Sequence, residues 1–274
     1  MAPTSIDALA GAQLSAYDAC RPLAPPSATD PDFDLATAYR VLARIREARE
    51  HRGERMVGRK IGFTNRNIWP EYGVDSPIWA PVYDTTLVEA DTKPVVDFRL
   101  ERTRSPRIEP EIAFGLRAPI AAGTHDPDRI LASVAWVAPA FEIVDCLYPD
   151  WKFEVQDTVA HQGLHAALIL GGKVKLDAMP LADWVTALRD CRAALFRNGA
   201  VADRGTSANA LGYPAAAVAF LADVLAGQPQ FEPLAAGEVV TTGTLTAALP
   251  IAPGETWRYE LEGVALGPLT VRFV

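Results

Sequence analysis

The sequence lacks the features that would direct a protein toward nucleic acids, secretion or membranes. It has 26 Lys and Arg against 34 Asp and Glu, a formal net charge of −8, so it lacks the basic excess that binds phosphate backbones. Its three cysteines, Cys20, Cys146 and Cys191, form no C-x-x-C pair, which favours a reducing compartment over a disulfide scaffold. No apolar run approaches the roughly 20 residues of a membrane span. The N-terminus has no signal-peptide pattern. We therefore expect a cytoplasmic protein that binds neither nucleic acid nor membrane.

Motifs for nucleophiles and nucleotide cofactors are also missing. The chain has no G-x-S-x-G elbow, no G-x-G-x-x-G after a strand and no P-loop, so the serine hydrolase, nicotinamide and nucleotide-binding classes lose their usual support. Hydrophobic residues make up 49% and charged residues 22% of the 274, which is typical of a folded globular chain.

The pattern of apolar residues predicts an α+β protein. Helical spacing over 8–16 and 35–50 predicts two helices, separated by a proline-rich loop at 21–32 with Thr29 or Asp30 as a candidate N-cap. Short β-like runs follow Gly53, so we predict a helical N-terminal arm (1–53) and a β-rich catalytic domain (54–274). The predicted strands are 85–88, 95–100, 109–116, 136–144, 166–170, 239–249 and 257–274, with a hairpin at 188–204 around Asn198-Gly199 and a helix at 213–226.

Three glutamates form the first candidate site. Glu109 and Glu111 are two apart in a predicted strand, so their side chains point to the same face. Glu142 interrupts an almost wholly apolar run, where an unpaired carboxylate is strongly disfavoured. Three carboxylates are hard oxygen ligands that favour Mg²⁺ or Mn²⁺. The alternative is that Glu109 and Glu111 lie on a solvated strand face and Glu142 pairs with an arginine.

A lysine and two histidines are further candidates. Lys60 alternates with apolar residues between Gly58 and Gly62, so it is either a buried cation that needs an anionic partner or a surface lysine before a turn. His161 and His165 precede an apolar strand, a favourable place for acid–base chemistry, although a structural role is equally open for either.

Five ordered segments resemble the 2-keto-4-pentenoate hydratase/4-oxalocrotonate decarboxylase group of the fumarylacetoacetate hydrolase superfamily. The resemblance covers nearly the whole chain, and five segments in the correct order are more specific than any one of them. The segments are GRKIGFT (58–64), YGVDSP (72–77), IEPEIAF (108–114), PAFEIVD (139–145) and GEVVTTGT (237–244).

The resemblance implies a fold, a metal and a set of site residues. The implied fold is a mixed β-sandwich roll of the fumarylacetoacetate hydrolase C-terminal-domain type. One Mg²⁺ or Mn²⁺ would be held there and would chelate the carboxylate and 2-oxo oxygens of a small 2-oxo acid. The implied roles are metal ligands for Glu109, Glu111 and Glu142; catalysis for Lys60, Asp75 and His161; and substrate binding for Arg59, Ile61, Gly62, Arg66, Thr242, Gly243 and Thr244.

The resemblance leaves the reaction open. Water addition to a 2-hydroxy-2,4-dienoate, decarboxylation of a 2-oxo-enedioate and C–C hydrolysis of an acylpyruvate all suit one enolate-stabilising site, and hydration is our first expectation. A non-catalytic partner subunit is a hypothesis of another class. The chain departs from the family where an Asp-Asn pair is replaced by His161-Gln162, which puts the standard substrate in question. The family also implies a homo-oligomer, alone or with another pathway enzyme.

Overall fold

Helices flank two sheets in the computed structural model, which describes residues 5–90, 93 and 95–274, with nothing described of the Glu71 side chain. Residues 1–4 of the predicted arm and positions 91, 92 and 94 of the predicted catalytic domain lie outside the described residues. In the described ranges the α-helices are α1 (Ile6–Ala19), α2 (Leu35–His51), α3 (Trp69–Tyr72), α4 (Pro127–Ala132), α5 (Val155–Ala160), α6 (Leu181–Asp190) and α7 (Pro214–Ala226).

The strands form one sheet of nine strands and one of five. The strands are β1 (Met56–Gly62), β2 (Ile78–Tyr83), β3 (Leu87–Glu89), β4 (Val96–Phe98), β5 (Pro106–Leu116), β6 (Val134–Asp145), β7 (His165–Leu170), β8 (Val174–Lys175), β9 (Arg192–Arg197), β10 (Ala200–Thr206), β11 (Val239–Thr241), β12 (Leu249–Pro250), β13 (Thr256–Glu262) and β14 (Leu269–Phe273). The large sheet has the order β2-β1-β11-β5-β6-β7-β3, with β12 beside β5 and β8 beside β6, and the small sheet has the order β10-β9-β13-β14-β4. These mixed helices and sheets confirm the predicted α+β class.

The two N-terminal helices are confirmed, but the predicted cap is wrong. The Asp34 side chain, not Thr29 or Asp30, caps α2 by accepting a hydrogen bond from the Thr37 backbone N–H at 2.7 Å. Residues 26–28 instead form a short 3₁₀ turn. Helix α2 packs on the large sheet, where its Tyr39 ring stacks on Trp79 of β2 with centroids 5.9 Å apart. These helices therefore share the core of the strands that follow, and the boundary at residue 53 stays a prediction.

The long antiparallel pair β5–β6 forms the centre of the large sheet. Its register places Glu109 directly opposite Glu142 and Ile112 opposite Pro139. Both strands are almost wholly buried, and β11 and β7 pair with their outer edges. Any charged side chain on this pair must therefore find its partner within the protein.

The differences from the predicted elements have identifiable causes. The hairpin around Asn198-Gly199 is confirmed, with positive φ values of 51° and 83° at its two turn residues. Its predicted start at residue 188 is wrong because 181–190 form helix α6; apolar residues at 181, 184, 185 and 188 have helical spacing, and this signal was missed. Strand β2 was missed because it contains Pro81, which a strand at the sheet edge tolerates.

Two observations bear on the predicted environment of the chain. Ser207–Ala226 is long and apolar enough to cross a membrane by length and composition alone, yet 56% of its most apolar window is buried inside the protein, as in the core helix of a globular fold. The structure has free thiols at Cys20, Cys146 and Cys191. This agrees with the prediction that the cysteines do not form a disulfide scaffold.

Close contact between β1 and β11 yields a stability prediction. A Cβ at Gly58 would lie 2.1 Å from the backbone oxygen of Val239, so Gly58→Ala must push the two paired strands apart. We expect this change to lower the free energy of unfolding by about 2 kcal/mol. Urea denaturation measures it. The control is Gly11→Ala on the exposed face of α1, where a Cβ meets nothing within 4 Å; it should be neutral or stabilise by up to about 1 kcal/mol. Equal stability of the two variants would contradict the close approach.

Candidate metal centre

Three carboxylates converge on one face of the large sheet. Glu109 and Glu111 alternate along β5, and Glu142 lies across from Glu109 on β6. One oxygen from each of the three carboxylates lies within 4.8 Å of the others. Glu111 and Glu142 are fully buried and Glu109 is half-buried. The predicted same-face arrangement is therefore present, and the solvated-strand alternative is not.

Glu111 and Glu142 are held by donors from other elements. Glu111 Oε2 accepts a hydrogen bond from the Gly243 backbone N–H at 2.9 Å. Glu142 Oε1 accepts one from His165 Nδ1 at 2.8 Å, and Glu142 Oε2 lies 3.2 Å from the ammonium of Lys60. Glu111 is therefore fixed through one oxygen, whereas Glu142 has a partner at each of its two oxygens.

Lys60 is the cation of the site. It lies on β1, its side chain is 5% exposed, and Nζ donates a hydrogen bond to the Gly163 carbonyl oxygen at 2.9 Å. Burial alone would lower its pKa, but the carboxylates of Glu142, Glu109 and Glu111 outweigh burial and raise the pKa above its ordinary value. These neighbours favour the ammonium form, and the burial of the side chain shows that the surface-lysine alternative is wrong.

Crowding of like charges shifts the pKa values of the glutamates apart. Burial, reinforced by Glu142, raises the pKa of Glu109 to about 7 against the opposing effect of Lys60. Burial and the two neighbouring carboxylates raise the pKa of Glu111 well above its usual range. Burial acts on Glu142 as well, but Lys60 and His165 overcome it and lower its pKa. One lysine thus neutralises only part of the cluster, and further positive charge is needed for all three to ionise.

The unmatched oxygens fit a divalent cation. Glu111 Oε1 is buried and accepts no hydrogen bond from any described residue, which is costly unless something else satisfies it. Glu142 Oε2 is buried as well and has the Lys60 ammonium 3.2 Å away, but without hydrogen-bond geometry. Three glutamate oxygens with room for further ligands match the hard-oxygen preference of Mg²⁺ or Mn²⁺. The residues present therefore fit the predicted metal.

A cavity of about 480 Å³ opens beside this cluster. Lys60 and Glu109 line it, and the aromatic rings of Phe63, Trp151 and Phe153 form part of its wall. A cavity of this size suits a small organic acid, and its apolar wall limits the water around a bound molecule.

Part of the predicted substrate-binding set lines the cavity. These lining residues are Ile61, Gly62, Gly243 and Thr244. Thr242 is not among them, because it is buried and its hydroxyl donates to the Ile112 carbonyl oxygen at 2.9 Å. A Cβ at Gly243 would lie 1.9 Å from Thr64 Oγ1; its φ of 91° is also one that only glycine adopts easily. The turn at Gly243 is thus built to bring its N–H to Glu111.

Three other predicted site residues do not reach the cavity. Arg59 is fully buried, lies 2.9 Å from a carboxylate oxygen of Glu238 and stacks on Trp79, so its role is structural. Arg66 is exposed outside the cavity, with its guanidinium 5.6 Å from the Trp69 ring. Asp75 is exposed in the bend before β2 and is not among the lining residues.

The structure separates the two histidines. His161 is buried behind the cavity, where its Nδ1 donates to Gln13 Oε1 of α1 at 2.9 Å. His165, not His161, contacts a carboxylate of the cluster, and its Nε2 lies 3.0 Å from Thr86 Oγ1. Nδ1 of His165 donates to the Glu142 carboxylate, so Nε2 of the neutral ring is the acceptor and faces the Thr86 hydroxyl. Sequence reasoning considered both histidines and selected the one that does not reach the site.

Several cavity residues were not predicted from the sequence. Arg107 lies two residues before Glu109 on the same face of β5, so the strand periodicity that joined Glu109 to Glu111 also indicated Arg107. Asp203, Arg204 and Asn209 follow the β9–β10 turn and line the cavity as well. No local sequence pattern predicted that these three residues line the cavity, because β10 and the turn after it belong to the small sheet and approach the cavity only in the folded chain.

The chain matches a family model and known proteins along most of its length. The model described as fumarylacetoacetate (FAA) hydrolase C-terminal matches residues 81–274. A 2-hydroxyhexa-2,4-dienoate hydratase of Comamonas testosteroni is 32% identical over 94% of this chain and 93% of that protein. A 4-oxalocrotonate decarboxylase of Pseudomonas sp. (strain CF600) is 33% identical over 89% and 87%. A solved 4-oxalocrotonate decarboxylase from Pseudomonas putida G7, complexed with magnesium and adipate, superposes with a TM-score of 0.88 at 30% identity, covering 98% of this chain and 97% of that one.

Burial of His161 predicts a pH dependence of stability. Burial lowers the pKa of His161 from 6.5 to about 4. As pH falls below about 6.5, this histidine is therefore protonated in the unfolded chain but stays neutral in the folded protein. We expect this group to cost up to about 3 kcal/mol of folding free energy between pH 6.5 and 4. Denaturant unfolding of wild type and His161→Asn at pH 7 and pH 5 measures this contribution.

The Asn side chain keeps a donor for Gln13 but does not titrate, so His161→Asn should lose less stability between the two pH values than wild type does. His51→Asn, at the exposed C-terminal end of α2, is the control for removing a histidine elsewhere. An identical pH dependence in wild type and His161→Asn would show that the imidazole is not buried in its neutral form.

Proposed function

The chain is an enzyme of the fumarylacetoacetate hydrolase family, in the group of 2-keto-4-pentenoate hydratases and 4-oxalocrotonate decarboxylases, and we propose that it is a divalent-metal-dependent hydratase. Its substrates would be 2-hydroxy-2,4-dienoates or their 2-oxo-4-enoate forms, as in the cytoplasmic catabolism of aromatic or related compounds. The observation that carries the proposal is the cluster of three carboxylates beside a buried lysine, at the edge of a cavity sized for a small acid.

Glu109, Glu111 and Glu142 would hold one Mg²⁺ or Mn²⁺. When bound, the cation supplies Lewis-acid chemistry that draws electron density from the 2-oxo group of a substrate. Gly243 N–H and His165 Nδ1 keep two of these carboxylates in place through their remaining oxygens. Such support behind a ligand is a common requirement of metal sites.

Lys60 would carry the proton transfers. Nζ lies beside the carboxylate cluster, where its ammonium form can donate a proton or a hydrogen bond to substrate. The Gly163 carbonyl and Glu142 fix Nζ from two sides. Asp75 and His161, which have no position on the cavity wall, stay predictions from the sequence.

Decarboxylation of a 2-oxo-enedioate is the second candidate. It is favoured by the superposition on the Pseudomonas putida 4-oxalocrotonate decarboxylase over nearly the full length of both chains. Acylpyruvate hydrolysis and a non-catalytic partner role are further alternatives. The presence of the complete glutamate cluster and Lys60 disfavours the non-catalytic role. We also propose a homo-oligomer, as the resemblance implied.

Incubation with Mg²⁺ and 2-hydroxypenta-2,4-dienoate distinguishes these candidates. We expect the dienol absorbance to disappear and a 4-hydroxy-2-oxo acid to form. Release of CO₂ from 2-oxo-3-hexenedioate without turnover of the dienoate would make the protein a decarboxylase. Failure to turn over any 2-oxo acid by the metal-loaded protein would leave the non-catalytic role.

Loss of one carboxylate should remove both metal and activity. Glu111→Gln keeps the size of the side chain and can still accept from Gly243, but it removes a buried charged ligand. We expect Mn²⁺ affinity, measured by isothermal titration calorimetry, to fall by more than the roughly 100-fold that losing a residue behind a ligand costs. Glu101→Gln, at an exposed carboxylate that pairs with Arg99, is the control and should bind the ion like wild type. A Glu111→Gln variant with full metal content and activity would refute the site assignment.

The raised pKa of Glu109 predicts that metal stabilises the protein more at higher pH. Its pKa rises from 4.5 in the unfolded chain to about 7 in the fold, so its contribution to stability is present below pH 4.5 and is lost as pH rises through 7. A bound cation favours the ionised carboxylate and offsets this loss. The rise in Tm on adding Mg²⁺ should therefore be larger at pH 8 than at pH 6. Equal rises at both pH values would contradict the coupling of Glu109 to the metal.

A further inference from the structure

We infer that Arg49 and Gln162 are positioning residues for Lys60, because together they hold the turn whose Gly163 carbonyl receives the lysine ammonium. The inference rests on the proposed function, since it takes Lys60 to be the group that transfers protons to substrate. It assigns a part in the reaction to helix α2, none of whose residues lines the cavity, and to a glutamine that does not line it either.

Two neighbours determine where the ammonium of Lys60 points. Nζ donates to the Gly163 carbonyl oxygen at 2.9 Å and lies 3.2 Å from Glu142 Oε2. Glu142 is also a candidate metal ligand, whereas the Gly163 carbonyl belongs to the backbone and takes no part in the glutamate cluster. An ammonium has three N–H donors, so these two neighbours leave one donor for the cavity that Lys60 lines. The position of the Gly163 carbonyl therefore affects how the lysine faces a substrate.

The turn that carries this carbonyl is left-handed over three consecutive residues. Gln162, Gly163 and Leu164 have φ values of 55°, 63° and 60°. Glycine adopts such values readily, but they cost free energy at the two residues that carry a side chain. A conformation of this kind persists only where the surrounding structure outweighs its cost. The 162–164 turn therefore needs to be held by contacts outside itself.

The 162–164 turn packs closely against Lys60 and strand β2. A Cβ at Gly163 would lie 3.0 Å from Lys60 Cδ and 2.9 Å from the Cβ of Ala80. This close packing leaves no space into which the turn could relax without moving its neighbours. A displacement of the turn is therefore passed on to the lysine side chain.

Arg49 holds the turn through the side chain of Gln162. Its Nη1 donates to Gln162 Oε1 at 2.7 Å in a buried hydrogen bond. Gln162 is 1% exposed, and its Nε2 has no hydrogen-bond partner among the described residues. An apolar residue of the same size would avoid the cost of this unpartnered donor. What the glutamine contributes here is therefore the oxygen that accepts from Arg49.

Arg49 is itself fixed before it reaches the turn. Its Nε and Nη2 donate to Glu54 Oε2 at 3.1 Å and 2.6 Å, and its guanidinium lies 3.9 Å from the centroid of the Tyr83 ring. The carboxylate and the ring hold the planar group in one orientation, in which Nη1 is directed at Gln162. A lysine has a single nitrogen in place of this fork and does not reproduce both contacts.

Kinetics of two variants test the effect on Lys60. Gln162→Met keeps the length of the side chain but offers Arg49 no oxygen, and Arg49→Lys keeps the charge beside Glu54 but lacks the second arm for Gln162. We expect kcat of the Mg²⁺-loaded protein to fall at least about tenfold in each variant, because a misplaced reacting group costs up to about 100-fold. The substrate is 2-hydroxypenta-2,4-dienoate, or 2-oxo-3-hexenedioate if wild type decarboxylates that acid.

The variants should differ from wild type in kcat alone. KM and the Mn²⁺ affinity measured by calorimetry should keep their wild-type values, since neither residue lines the cavity or belongs to the glutamate cluster. Because both substitutions break the same hydrogen bond, the double variant should lose no more activity than the weaker single variant. Gln156→Met, the same substitution at a half-buried position of α5 outside the cavity, is the control and should match wild type.

Hydrogen exchange of the protein without metal or substrate tests the turn directly. The N–H groups of Leu164 and His165 donate to the carbonyl oxygens of His161 and Gln162, so they are protected while the turn keeps its shape. In Gln162→Met and Arg49→Lys we expect a peptide over 161–168 to exchange about tenfold faster, the effect of losing one hydrogen bond to a charged group. Gln162→Glu keeps an oxygen for the arginine and should exchange like wild type.

The outcomes separate this inference from the proposed function. Wild-type kcat or wild-type exchange in both Gln162→Met and Arg49→Lys would overturn the positioning role, as would additive losses in the double variant. Parallel loss of kcat and Mn²⁺ affinity would overturn it as well, because general disruption would then be the cause. Absence of turnover by wild type would overturn the proposed function and the part in the reaction, whereas faster exchange in the two variants would still support the hold of Arg49 on the turn.

Discussion

Mutual repulsion of three carboxylates, two of them fully buried, is the constraint on which the rest of the site depends. Glu109, Glu111 and Glu142 lie on adjacent central strands, where little solvent screens them. Lys60 supplies one compensating charge, and the raised pKa values of Glu109 and Glu111 show that one is too few. The fold tolerates this arrangement because a divalent cation can supply the remaining charge.

The surrounding elements serve to hold this cluster in one geometry. Strand β1 brings Lys60, β7 brings His165 and the turn after β11 brings the Gly243 N–H, so Glu142 and Glu111 are held by segments distant in sequence. The N-terminal helices contribute indirectly. Arg49 of α2 donates to Gln162 Oε1 at 2.7 Å, beside the Gly163 carbonyl that receives Lys60. Gln162 therefore lies in the support of the lysine and not on the cavity wall.

Local sequence patterns were reliable where they depend on neighbouring residues. Alternation predicted that Glu109 and Glu111 share a face, and the apolar run around Glu142 predicted a buried carboxylate with a partner. The same patterns failed where the partner comes from elsewhere in the chain. Thr242 and Arg59 stand beside cavity residues in sequence, yet each points into the core because successive side chains of an extended chain alternate. Reasoning from the residues left His161 and His165 equally open, and the resemblance then selected His161, which does not reach the site.

The sequence by itself determined the α+β class and the three metal ligand candidates, because both depend on residue type and short-range periodicity. The family and the role of Lys60 came from the resemblance of five ordered segments to known proteins. The tertiary structure decided which histidine supports Glu142, which glycine N–H holds Glu111 and which arginines face the cavity. These depend on register between strands and on the approach of the second sheet, where a shift of one residue would turn every side chain to the opposite face. Contacts between residues as far apart as Glu111 and Gly243 arise only when the chain has closed on itself.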